Sequence, residues 1–308
     1  MTFRLGTRGS ALALAQAEEI TGVLRDAGLD EEIRLVTVRT SGDRGGKGMR
    51  PKVGSFAADI NILVLNGELD GGIHSMKDLP VNLPQGLELP VIPARGRRGD
   101  CLVSREYYTR LPTGSGVGSS SARRIAQLLR ERGDLEPVML RGNVTTRLGK
   151  VEKGKPEAAV LALCGLDRIG YRPSSGLHLH PLPVEKFVPA ACQGALALVT
   201  ASGRLPAKVA ERADHGATRR EVEMEREVLS QLGAGCNSPL GVSALSLGRG
   251  VHIRIQLLSP DGSIEKKVSA VVAGKEGIGG VLQPFTDEVS RSIIEGRWTG
   301  MEEGQPER

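Results

Sequence analysis

Aromatic side chains are scarce. The 308 residues include one Trp, three Tyr and four Phe, too few for the base-stacking platforms of single-stranded nucleic-acid binders. Cysteine is sparse too: Cys101, Cys164, Cys192 and Cys236 stand far apart and form no CxxC pair. That spacing disfavours a zinc ribbon or a thioredoxin-like site and fits an intracellular chain with reduced thiols. No run of about 18 uncharged apolar residues occurs, so no transmembrane helix is expected. Met1 to Gly6 shows no basic head leading into a long apolar run, so no secretory signal is read there. Internal repeats and low-complexity tracts are missing, and neither charge sign dominates, with 41 basic against 36 acidic side chains and a net charge of +5. That mild excess suits nucleic acid or an acidic small molecule, and the placement of the arginines must decide between them.

What is present is globular: 39% apolar and 25% charged residues over a length that suggests two or three domains. Residues 10–27 read as a helix capped by Ser10 and ended at Gly28, and 33–38 as a strand. Residues 42–54 are basic, Gly-rich and aperiodic, which reads as a mobile loop. A helix at 56–66 and a short strand at 71–75 complete a β-α-β-α alternation, hence an α/β domain. Prolines at 80, 84, 90 and 93 break the pattern, and the run Arg95-Gly96-Arg97-Arg98-Gly99-Asp100 suits a crossover between domains. A second α/β unit follows, with helices at 122–130 and 145–151 and strands at 138–140 and 158–163. Pro181, Pro183 and Pro189 mark a second crossover. A charged helix at 211–232 loosens near Gly216. A hairpin from 251–258 into 266–273 and a helix at 281–295 make a third unit, and the tail 302–308 is expected to fray.

Basic residues recur where predicted elements end: Arg8 before the first helix, Arg123 and Arg124 inside a helix start, Arg141 after a strand, Arg147 soon after. Ser119-Ser120-Ser121 adds hydroxyls beside a helix N-terminus, whose free N–H groups bind anions. Guanidinium forks match carboxylates. Together they describe a cleft for a ligand carrying several carboxylates or phosphates; singly, each is also consistent with a surface arginine or a serine cap. His74-Ser75-Met76-Lys77-Asp78 gathers polar groups at a strand end, where open α/β sheets bind ligands. Asp78 suits a general acid/base or a fixed negative charge beside a developing cation, and Lys77 a carboxylate holder or a tuner of Asp78. The alternative is a turn in which Asp78 caps backbone N–H groups. His74 reads as a structural hydrogen-bonding residue, since no zinc-spaced cluster accompanies it. Cys236, crowded by small residues in Gly233-Ala234-Gly235-Cys236-Asn237-Ser238-Pro239, is a nucleophile, an attachment point or a passive loop thiol. Cys101 and Cys164 sit in strand-like apolar surroundings and read as core.

Six motifs in order resemble the porphobilinogen deaminase (hydroxymethylbilane synthase) family: Thr7-Arg8-Gly9-Ser10-Ala11-Leu12, His74 to Pro80, Gly118-Ser119-Ser120-Ser121-Ala122-Arg123-Arg124, Leu140-Arg141-Gly142-Asn143 through Arg147-Leu148, Gln193-Gly194-Ala195, and the Cys236 loop. The resemblance implies an α/β protein of three domains. The first two would be doubly wound like a hinged periplasmic-binding-protein pair, and the third a small α/β domain with an antiparallel sheet. It places them at 1–94 plus 194–213, at 99–189 and at 216–308. It also implies a dipyrromethane cofactor joined by thioether to Cys236, porphobilinogen as substrate, no nucleic-acid or membrane partner, and a cytoplasmic monomer needing no metal. The cofactor site it implies comprises Arg8, Ser10, Lys77, Asp78, Ser119, Ser121, Arg123, Arg124, Arg141, Gly142, Arg147, Gln193 and Cys236, with Asp78 and Lys77 catalytic. Loss of ammonia leaves a cation on the substrate, which Asp78 would stabilise, while the cations would hold acetate and propionate groups. In the family a loop covers the cleft, here 42–54, and its lysine is either Lys47 or Lys52. Departures are Ser119 where Thr is frequent and Cys192 where Gly is common, the latter either an extra cleft thiol or a Cys tolerated at a tight site. Two other classes compete: a non-catalytic hinged anion-binding protein, which has no use for the Cys236 loop, and a nucleic-acid binder, against which the scarce aromatics and dispersed arginines argue.

Overall fold

The computed structural model describes residues 2–41, 55–174, 176–235 and 238–299. The chain opens with strand β1 (Thr2–Thr7), helix α1 (Ala11–Asp26), β2 (Glu32–Thr37), α2 (Ser55–Leu65), β3 (Gly71–Ser75) and β4 (Leu87–Val91). Helix α1 starts where expected because the Ser10 hydroxyl accepts the Ala13 N–H, and the chain leaves it through Gly28 at φ +88°. After a crossover come β5 (Asp100–Ser104), β6 (Gly116–Ser119), α3 (Ala122–Glu131), β7 (Glu136–Met139), α4 (Val144–Glu152), β8 (Ala158–Ala162), α5 (Leu163–Arg168) and β9 (His178–Pro181). The chain then returns with β10 (Leu196–Ala201), α6 (Ala207–Ala213) and α7 (Gly216–Leu232), and ends in β11 (Leu240–Leu247), β12 (Gly250–Leu258), β13 (Glu265–Val272), α8 (Ile278–Val281) and α9 (Glu288–Ile294).

Two five-stranded sheets result, ordered β2-β1-β3-β10-β4 and β7-β6-β8-β5-β9, with a three-stranded antiparallel sheet β11-β12-β13. In each large sheet four strands share one direction and one is reversed: β10 runs antiparallel to β3 and β4, and β5 antiparallel to β8 and β9. Apolar residues fill both faces of each. On the first sheet α1 and α6 cover one side with Ile20, Leu24 and Val209, while α2 covers the other with Ile60 and Val64. On the second, Leu148 and Leu166 pack on one face and Leu128 on the other. The α/β expectation is met, and β10, which follows Gln193, lies between β3 and β4 in the first sheet.

The sequence reading missed β1, β4, β6, β9, β10 and β11, and gave β5 only as strand-like surroundings of Cys101. Strand β4 contains Pro90, which passed as a breaker; it lies at a sheet edge, where a missing N–H is tolerated. Cys164 lies in helix α5, not a strand, though it is buried as expected. The single helix expected at 281–295 is interrupted: α8 gives way to a 3₁₀ turn, Gln283–Phe285, and Asp287 caps a separate α9 through the Ser290 N–H at 2.8 Å. The loosening near Gly216 is a true break between α6 and α7.

Candidate functional site

Strands β1 and β3 are parallel neighbours, so Arg8 and the Met76–Asp78 turn leave the first sheet at one edge, beyond its carboxyl ends. The turn is held from below. Met76 is buried, and its N–H donates to the Ala195 carbonyl at 3.0 Å. Gln16 of α1 donates to the Ser75 hydroxyl at 2.9 Å. His74 is buried against Asn61, its Nε2 lying 3.0 Å from Oδ1, and burial lowers its pKa to about 4. It is therefore a neutral structural residue, as the sequence indicated. Asp78 is half-buried, and the protein around it pushes its carboxyl above the usual range, while Lys77 and Arg8 pull it back. Among the described residues no hydrogen bond reaches the Asp78 carboxylate. The three groups expected to act together thus share one electrostatic neighbourhood. Ser10, beside them, uses its oxygen as the α1 cap at 3.3 Å, which leaves its O–H to donate elsewhere.

The second sheet faces its own loops with α3. Ser119 is buried and its hydroxyl accepts the Ser121 N–H at 3.1 Å. The Ser121 hydroxyl makes no capping bond, so the first N–H groups of α3 lack that partner. Arg123 and Arg124, by contrast, are buried on an internal carboxylate. Asp100 lies 2.9 Å from Arg123 Nη1 and 2.7 Å from Arg124 Nη2. Gln193, fully buried, donates to Asp100 at 2.8 Å and to the Arg98 carbonyl at 2.8 Å, and accepts from Arg124 at 3.3 Å. The cations hold the Asp100 carboxyl far below the usual range against the cost of burial. Arg141 and Gly142 are exposed, and Gly142 takes φ +114° in a tight turn that delivers Asn143 as the α4 cap. Arg147 donates to the Gly142 carbonyl at 2.7 Å, and burial together with Arg124 lowers its pKa. Among the described residues neither Arg141 nor Arg147 pairs with a carboxylate.

Cys236, Asn237 and the whole segment 42–54, with Lys47 and Lys52, lie outside the described residues, as does the tail 302–308. Cys192 is buried at φ +61°, a left-handed conformation that Gly adopts at no cost. That explains a Gly-favouring position and rules out a cleft thiol. Burial pushes the Cys101 thiol up to about 12, which makes it inert core. Sequence reasoning missed the acids of the crossover. Besides Asp100 these are Glu221 and Glu225 of α7: Glu225 holds Arg95 in a two-pronged pair at 2.9 and 3.0 Å, and Glu221 holds Arg98 at 3.0 Å. The only local signal was an acid abutting an apolar strand at Asp100-Cys101-Leu102. Among the described residues no group of three or more His, Cys, Asp or Glu could hold a metal, and no helix is long and apolar enough to cross a membrane.

Comparison with known proteins adds independent findings. Residues 3–208 match the family model described as porphobilinogen deaminase, dipyromethane cofactor binding domain, and residues 219–279 match its C-terminal domain. The porphobilinogen deaminase of Rubrobacter xylanophilus is 41% identical over 265 residues, covering 84% of this chain and 85% of that protein. That of Streptococcus sanguinis is 34% identical over 312 residues, covering 97% of each. A probable porphobilinogen deaminase of Thermoplasma acidophilum is 34% identical over 92% of this chain and 95% of its own length. Among solved structures, the BvgS VFT2 domain of Bordetella pertussis aligns with 75% of this chain and 92% of its own at a TM-score of 0.41 and 13% identity, too slight a likeness to argue from.

Proposed function

The chain belongs to the porphobilinogen deaminase family, and from that premise we propose which of its residues do the family's chemistry. The enzyme is a transferase of tetrapyrrole biosynthesis: it joins four porphobilinogen molecules head to tail on a dipyrromethane primer, releases ammonia, and hydrolyses off hydroxymethylbilane. The residues fit that primer. It brings acetate and propionate groups, and Arg141 and Arg147 stand without internal carboxylates beside the uncapped start of α3. When bound, the primer supplies the pyrrole carbon to which each new unit is joined.

The observation that carries the assignment of roles is the Asp78 environment: a half-buried carboxyl with a raised pKa, beside Lys77 and Arg8, on a turn locked from below. As a carboxylate, Asp78 stabilises the cation left when the substrate loses ammonia; with its raised pKa it also takes and returns the proton lost at each condensation. Lys77 and Arg8 keep enough of it ionised to do so, and orient substrate carboxylates. Ser10, Ser119 and Ser121 add hydrogen bonds, and Arg141, Gly142 and Arg147 frame the growing chain. Arg123, Arg124 and Gln193 act with Asp100, which holds the two guanidinium groups in place. Cys236 is the attachment point. The domains divide at 1–94 plus 194–213, 99–189 and 216–308, each containing one sheet. The protein works as a cytoplasmic monomer, a setting consistent with its buried thiols Cys101 and Cys164.

The test is the intact mass of the purified protein beside that of Cys236→Ser. An excess equal to one dipyrromethane, present only in the parent, is expected. A bare mass in both, unchanged after porphobilinogen is added, overturns the attachment.

A further inference from the structure

A buried polar chain leads away from the cleft, and its two glutamines have no part in the chemistry above. It starts at Arg123, whose Nη1 donates to Gln127 Oε1 at 2.8 Å, one helical turn along α3. Gln127 Nε2 donates to the Val188 carbonyl at 2.8 Å and to Oε1 of Gln256 at 2.7 Å. Gln256 sits in β12, the central strand of the third sheet, and its Nε2 donates to the Lys186 carbonyl at 3.0 Å and to Glu265 at 2.7 Å. Its oxygen also accepts the Val188 N–H at 3.3 Å. Both amides are buried, at 1% and 2% exposure. Each admits one orientation only, since turning Gln127 over would aim its NH₂ at the Arg123 donor and its oxygen at the Val188 carbonyl.

A second observation locates the same contact. Gly262, in the turn between β12 and β13, has φ +76°, and a Cβ there would lie 2.6 Å from the Arg130 nitrogen and 2.7 Å from the Ala126 carbonyl. The hairpin tip therefore lies directly on the α3 backbone. Arg130 also donates to the Ser263 carbonyl at 3.2 Å.

We infer that Gln127 and Gln256 are positioning residues for the reaction: their amide pair locks the third sheet onto α3 and so sets where the Arg123 end of that helix stands. The inference rests on the reading of the site given above. An apolar contact can slide, whereas two amides with every donor and acceptor matched hold one register. The lock joins the two parts that must share the primer: α3, whose start faces the cleft, and the sheet whose first strand follows Cys236 in sequence.

The test compares Gln127→Met, Gln256→Met, the double variant and Gly262→Ala with the parent. It measures KM and kcat for porphobilinogen, melting temperature, and the length distribution of enzyme-bound chains by intact mass under limiting substrate. Each single amide variant is expected to raise KM about fivefold, the worth of one hydrogen bond, and to shift bound chains toward shorter lengths. The double variant should do no more than either single one, because both residues form one link. Gly262→Ala should give the same shift while removing no hydrogen bond. A lowered melting temperature with KM and chain lengths unchanged overturns the inference, as do amide effects that add. Should the Met variants fail to fold, Gly262→Ala decides. A parent protein without primer mass sinks the underlying reading instead, and is recognised before any variant is made.

Discussion

Arginine is held in two opposite ways in this molecule. At the first crossover and the start of α3, Arg95, Arg98, Arg123 and Arg124 are matched by Glu225, Glu221 and Asp100, and all but the half-buried Arg98 are buried. Arg141 and Arg147, proposed to line the cleft, meet only backbone carbonyls or solvent among the described residues. A guanidinium with its counter-charge built in is part of the frame. One without it, on the reading proposed above, is kept for a ligand that brings the charge. Burial alone therefore misleads about function, and the presence or absence of an internal carboxylate is the better criterion.

Several substitutions would break or sharpen that contrast. The largest effect is expected at Asp78, the acid proposed to do the chemistry. Asp78→Asn should lower turnover at least about a hundredfold, the usual contribution of a positioned acid/base group. Because burial raises its carboxyl pKa, the folded state holds this proton above the pH at which the unfolded chain loses it, so Asp78 costs stability as pH rises through that interval. The variant should melt no lower than the parent at neutral pH, and a clear loss of melting temperature would count against this. The acid limb of the parent's pH–rate profile should lie above the ordinary carboxylate range.

Asp100→Asn tests the other side. It strands two buried cations, and about 3–5 kcal/mol of stability should be lost in denaturant titration. The Asp100 pKa is depressed, so the contribution is complete above the unfolded carboxylate pKa and fades as pH falls below it. Arg147→Met, by the same logic, should raise KM severalfold and leave the melting temperature unchanged; a large stability loss would move Arg147 into the frame. His74 gives a milder pH signal. Its neutral form is favoured in the fold, so its contribution is complete above the unfolded pKa of 6.5 and is lost as pH falls toward about 4. His74→Asn should flatten melting temperature over that window. Smallest is Ser10→Ala, expected to cost about 1 kcal/mol as a lost helix cap; a rise in KM beyond that would show the hydroxyl also meets the ligand.

Much of this was legible in the chain. The helix at 10–27, the strand at 71–75 and the 251–273 hairpin followed from caps, glycines and alternation, all local signals. The strands that escaped notice are short or carry Pro or Gly, as in Leu87–Val91 and Gly116–Ser119, and exist because a sheet neighbour pairs with them. The interruption of the last helix turned on Asp287, whose preference for capping outweighed a roughly helical pattern. Asp78, Lys77 and Arg8 were picked out from their places at element ends, and the structure brings them into one electrostatic neighbourhood. Arg123 and Arg124 were found in the same way, but not the carboxylate that occupies them.

The amino-acid sequence by itself determined the chemistry on offer: an acid and a lysine after a strand, hydroxyls and arginines at a helix start, a thiol among small residues, in an order that marks one family. These are short-range patterns, set by turn and cap preferences within a few residues. Only the tertiary structure decided which charges cancel. Asp100 and Arg123 are far apart along the chain yet 2.9 Å apart in space, as are Arg95 and Glu225. Whether a cation is frame or site depends on such long-range partners, because electrostatic interaction in a dry interior is governed by distance in space, and folding alone sets that distance.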